Sequence, residues 1–181
     1  MGEIEFVDDF HRLFGSFVLA HARLDFNVGL QLLHIGAYRQ VDVSELLDPL
    51  KTPFALRLKK LRQLTLDLYV SAGEVARAEF GAWHTRADMF RGLRNDYAHG
   101  RWGVPGKYNF KGDGSMRDSE PLLVFTPLHW NLDPNGPDLS IIMTIKEFSI
   151  QVAEMEGLFK DFEQLTEKYQ YFARPPNASD M

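Results

Sequence analysis

Apolar residues return at spacings of three and four along the first part of the chain: Phe6, Phe10, Leu13, Phe14, Phe17, Leu24, Val28, Leu32 and Ile35. Side chains so spaced share one helix face, which predicts a long amphipathic helix over residues 4–38, with Gly15 a candidate kink. Residues 36–53 read as a connector, in which Ser44 is placed to cap a short turn through Leu47 that Asp48-Pro49 ends. Thr52-Pro53 opens a second main helix, with Thr at the N-cap and Pro at the first helical position. It runs to about Val70 on Leu56, Leu61, Leu64 and Leu68. Ser71 and Glu74 have the spacing of a capping box. Val75, Phe80, Trp83, Ala87, Phe90 and Leu93 then supply the core side of a third main helix, from Glu74 to about His99.

After His99 the period changes. Gly100, Gly103, Pro105 and Gly106 forbid a long helix, and Leu122–Thr126 and Ser140–Ile145 are short runs rich in β-branched and apolar residues. Turn chemistry at Asp133-Pro134-Asn135-Gly136-Pro137-Asp138 separates them and predicts a β-hairpin, with a third strand expected around residues 101–108. Residues 109–121 read as a mobile loop. A last helix over residues 146–169 buries Phe148, Val152, Met155, Phe159 and Phe162. The expected fold is mainly α: an up-and-down helical bundle of about four long helices, with a small hairpin inserted before the last. One domain over residues 1–171 carries that insertion at about 101–145, and residues 172–181 read as a disordered tail.

Composition narrows the chemistry. The 181 residues are 45% hydrophobic and 25% charged, enough for a soluble domain with a sizeable core. There is no cysteine, which removes disulfides, thiolate metal sites and cysteine nucleophiles. Glu3, Glu5, Asp8 and Asp9 stand where a signal peptide would carry bases, and no uncharged apolar run reaches the ~18 residues of a membrane span. A cytoplasmic protein with no membrane partner is expected. Net charge is −5, but residues 51–101 carry ten bases against five acids, so a polyanion would meet the middle third. Packing of basic helices on acidic ones would produce the same distribution.

The chemistry-bearing residues concentrate in that third. Arg94, Asn95, His99, Arg101 and Trp102 fall within nine positions, with Arg91 one turn earlier. Histidine exchanges protons near neutral pH, and arginine makes forked hydrogen bonds to phosphate. Cleaving RNA without metal needs a base for the 2′-hydroxyl, an acid for the leaving oxygen and a cation for the charged intermediate. One Arg and one His are half of such a set, and a two-fold dimer would supply the other half. Asn95 and His99 are four apart and share a helix face. Arg94 is five before His99, about 140° away on an ideal helix, so the two share a pocket only if the helix ends early or the long Arg94 side chain reaches round. Trp102 is a candidate for stacking on a base, and Arg57, Lys59 and Lys60 for tracking phosphates. Against this, a His-Gly pair can simply cap a helix, and basic residues among leucines are commonly a solvated face. His21 and Asp25, four apart, read either as the edge of the core or as an acid that orients a catalytic Arg or His. His84 and Asp88 share the same spacing, so a metal-dependent enzyme would draw on these two pairs. The preferred reading needs neither metal nor cofactor.

Arg94-Asn95-Asp96-Tyr97-Ala98-His99 resembles the signature of the HEPN superfamily (higher eukaryotes and prokaryotes nucleotide-binding): Arg, a polar residue, variable positions, then His. The resemblance extends in architecture over roughly residues 4–170. It implies a dimeric helical bundle with Arg94 and His99 of both protomers in a shared cleft, supported by Asn95. Asp25 is similar to the acid that many members carry on an early helix, with His21 beside it. Many catalytic members are metal-independent endoribonucleases of toxin, defence or RNA-processing systems; others only bind nucleotides or partner proteins. Single-stranded RNA or a nucleotide, a second copy, and an inhibitory protein are the partners implied. Some toxin members place Tyr two after the His; here that position is Arg101.

Overall fold

The computed structural model describes residues 3–48, 51–68, 72–103, 122–127 and 140–169. In chain order these form helices α1 (Glu3–Arg39), α2 (Ser44–Leu47), α3 (Phe54–Leu68) and α4 (Glu74–His99). Strands β1 (Arg101–Gly103), β2 (Leu122–Thr126) and β3 (Ile141–Thr144) follow, and α5 (Ile145–Tyr169) closes the series. The protein is mainly α, with one antiparallel three-stranded sheet in the order β1-β2-β3 before the last helix. The hairpin is thus extended by the short strand expected after His99. The expected capping box at Ser71, the turn at 133–138, the loop at 109–121 and the tail at 172–181 lie outside the described residues.

The chain forms two compact units: Met1–Leu19 with Gly92–Glu154, and Ala20–Arg91 with Met155–Met181. In the second unit, Leu24, Val28, Leu32 and Ile35 of α1, Leu58 and Leu61 of α3, Phe80 and Phe90 of α4, and Leu158 of α5 are almost wholly buried. Trp83 stacks on Phe162 at 4.5 Å between ring centres. Its indole N–H donates to the Leu158 carbonyl at 3.0 Å, so the one polar atom of a buried ring is satisfied. The buried stripes run through Leu58 rather than Leu56, and through Ala76 rather than Val75, which is 67% exposed. Size misleads there: the helix phase set by Phe80, Trp83 and Phe90 puts the small Ala76 inside.

Helix ends differ from expectation in instructive ways. α1 continues through Gly36 to Arg39, so the connector is shorter than predicted. Val41 N–H donates to the Gly36 carbonyl at 2.9 Å and Gln40 N–H to that of Ala37 at 3.4 Å, with Gln40 left-handed at φ 55°. That is a Schellman end with a non-glycine residue at its strained position. Gly36 is needed because a Cβ there would lie 2.8 Å from the Val43 side chain. Ser44 is the first helical residue of α2 rather than its cap. The Asp42 carboxylate accepts its amide at 2.9 Å, and these contacts with Ser44 hold the Asp42 carboxyl below its usual range. The Thr52 hydroxyl donates to the Glu45 carbonyl at 2.8 Å, tying α3's start to α2 instead of capping α3. A reciprocal capping box does occur at α5. The Thr144 amide donates to Glu147 Oε2 at 2.7 Å and the Glu147 amide to Thr144 Oγ1 at 3.1 Å.

The first unit is organised around aromatic rings. Trp102 of β1 lies 5.0 Å from Phe10, 4.9 Å from Tyr97, 5.0 Å from Phe125 and 5.3 Å from Phe148. The Trp102 indole N–H donates to the Tyr97 carbonyl at 3.0 Å. The Tyr97 hydroxyl donates to Gln151 Oε1 at 2.6 Å. A Cβ on Gly100 would run into the Phe125 ring and sit 2.8 Å from the Thr126 carbonyl. Glycine after His99 therefore serves close packing of helix on sheet, not a left-handed turn: among the described residues, Gly73 is the glycine with positive φ.

Candidate functional site

α4 stays helical through His99, and Gly100 N–H still donates to the Asp96 carbonyl at 2.7 Å. The early helix end that would swing His99 toward Arg94 is not used, so the two project from different sides of the last turns. Asn95, Asp96, Ala98 and His99 are exposed, Arg94 is half-buried and Tyr97 is buried. Arg94 Nη1 donates to Asn95 Oδ1 at 3.2 Å. The Arg94 Nε is buried and meets no acceptor among the described residues. The helix thus sorts its own signature: aromatic carbon inward, amide and imidazole outward.

The flanking residues divide. Arg101 is exposed at the first position of β1. Arg91 is half-buried and donates through Nε to Asp88 Oδ1 at 2.8 Å, which occupies the acid of the His84-Asp88 pair. Trp102 is half-buried and turns its indole against the aromatic core of its unit. Its rings of contact and its indole bond follow from its register opposite Phe125, one residue out of phase with Arg101.

In the other unit, Arg57 Nη2 donates to Asp25 Oδ2 at 2.7 Å, with side chains 9% and 25% exposed. Arg57 is therefore an interior cation paired across α1 and α3, not a solvent-facing phosphate contact. Lys59 remains exposed and Lys60 half-buried on the same helix. His21 is buried edge-on against the Phe54 ring at 5.0 Å. His84 is buried too, and its Nε2 donates to the Leu58 carbonyl at 3.0 Å. Burial pushes the His84 imidazole below its ordinary pKa, assisted by the Arg62 charge and opposed by that bond and by Asp88. Among the described residues, no group of three or more His, Asp or Glu is placed to hold a metal ion.

The Asp25–Arg57 pair was not anticipated, since nothing in the sequence links positions 32 apart. Tyr97 could have been found, because it continues the Phe90 stripe one helical repeat on. Among the described residues, no helix is long and apolar enough to cross a membrane. Comparison with protein-family models, with curated proteins and with solved structures finds no match.

Proposed function

We propose that the protein is a metal-independent, HEPN-like endoribonuclease acting as a homodimer. The observation that carries this reading is the exposed pairing at the end of α4: Arg94 bonded to Asn95, with His99 one turn on and open to solvent. In this reading His99 moves the protons of the cleavage, Arg94 stabilises the phosphorane, and Asn95 holds the guanidinium in place. A second copy supplies the second histidine, since one protomer offers a single imidazole here. Arg101 adds positive potential for a single-stranded substrate.

A mixed-sequence single-stranded RNA, incubated with the protein in excess chelator, tests this. Cleavage by the wild type but not by His99→Ala, leaving 2′,3′-cyclic phosphate ends, is the expected result. Intact RNA with both proteins would sink it. A second reading is a non-catalytic nucleotide- or partner-binding module. The separation of Arg94 from His99 around the helix favours it, and that outcome would leave it standing.

A further inference from the structure

Three polar side chains line up across the sheet directly after His99. The β1–β2 register sets Arg101 opposite Thr126. The β2–β3 register sets Phe125 opposite Ile141, and one step further brings Thr126 against Ser140, whose hydroxyls lie 3.2 Å apart. Residues directly opposed on antiparallel strands point to one face, and successive residues alternate faces. Trp102 and Phe125, one position along, turn their rings toward each other at 5.0 Å in the aromatic core. The Arg101–Thr126–Ser140 row therefore lies on the other face. Arg101 is exposed there and both hydroxyl residues are partly so. Gly100 holds the end of α4 close against Thr126, since a Cβ added to it would lie only 2.8 Å from that carbonyl. The row is thus fixed next to the last residue of the signature.

We propose that Arg101, Thr126 and Ser140 form a subsite for an RNA phosphate neighbouring the one at His99. The guanidinium supplies charge and a planar fork of donors. One of the two hydroxyls donates to the other, and the hydroxyl that accepts in that pair turns its own hydrogen toward a phosphate oxygen. The chemistry reads backbone, not base, because every group in the row is a phosphate donor and the nearest described aromatic rings face the core. This subsite rests on the ribonuclease reading for its place in catalysis, but its binding role is separately measurable.

The probe is a fluorescein-labelled 2′-O-methyl oligonucleotide of mixed sequence, which cannot be cleaved, titrated against the wild-type protein by anisotropy over a range of salt. Arg101→Ala is expected to weaken binding about fivefold to tenfold at low salt and to flatten the salt dependence by roughly 0.7 in log-log slope, the loss of one single-strand phosphate contact. Thr126→Val keeps the β-branched shape and is expected to weaken binding about threefold with the slope unchanged. Thermal melts of both variants confirm that the fold is kept. Equal affinity and slope for Arg101→Ala, or no binding by the wild type at low salt, overturns the subsite. Wild-type RNA cleavage alongside Arg101-independent binding removes the subsite and leaves the ribonuclease. Arg101-dependent binding without cleavage does the reverse.

Discussion

Arg57 and Asp25 meet at 2.7 Å between α3 and α1, 32 positions apart in the chain. Two charges taken largely out of water stabilise a fold only while both are present. Asp25→Ala strands a buried guanidinium and is expected to cost about 2–3 kcal/mol, below the fully buried range because Asp25 keeps some solvent. Asp25→Leu combined with Arg57→Met is expected to recover most of that loss. Urea unfolding of the three proteins checks this; a double variant no more stable than Asp25→Ala would refute the account.

Gly100 is packed too closely for any side chain. Gly100→Ala drives a methyl into the Phe125 ring and toward the Thr126 carbonyl, and overpacking of this kind costs about 1–3 kcal/mol. Phe125→Leu shortens the opposing group, so the two substitutions together are expected to cost less than their sum. A double-mutant cycle by thermal melting measures the coupling.

Gln40 holds a left-handed φ of 55° at the end of α1. Glycine adopts that conformation without steric cost, so Gln40→Gly is expected to stabilise by about 0.5–1 kcal/mol. An unchanged or lowered melting temperature would show that the Gln40 side chain contributes something the strain argument omits.

His84 makes stability depend on pH in one direction. Its folded pKa lies below the ordinary 6.5, so the unfolded chain binds the proton more readily. The stabilisation from keeping the ring neutral is present above about pH 6.5 and is lost as pH falls toward the folded value. Stability measured from pH 8 to pH 5 is expected to decline over that lower range, with a shallower decline in His84→Gln. Identical slopes for the two proteins would remove His84 as the cause.

Tyr97 acts at the other end of the scale. Burial pushes its phenol up to about 12. The folded state therefore keeps a proton that the unfolded chain gives up near pH 10. Its contribution is complete below that point and fades as pH rises toward about 12. In the ultraviolet titration of tyrosinate, Tyr97→Phe is expected to delete the most alkaline component. Loss of an ordinary component near pH 10 instead would contradict the burial argument.

The helices were readable because their stripes repeat: Phe17, Leu24, Val28 and Leu32 leave little freedom of phase. Val75 is the larger apolar residue, yet the phase of the helix turns it outward and buries Ala76 instead. Helix periodicity alone put Asn95 and His99 on one face, and both are exposed. Trp102 was not readable, because an aromatic beside a charged signature can turn either way until strand register decides. The same holds for Arg57: its buried partner lies on a helix that local pattern cannot bring near. The row through Thr126 and Ser140 needed the pairing of three strands, which composition does not specify.

The three residues of β1 set a strict reading frame. Arg101 faces outward and Trp102 inward only because exactly one residue, Gly100, separates His99 from the strand. Inserting or deleting a single residue between His99 and Trp102 would trade their places, driving a guanidinium among aromatic rings and an indole into water. Chain length at this junction is therefore as constrained as residue type, and a substitution at the exposed Arg101 is expected to be tolerated far better than a one-residue indel.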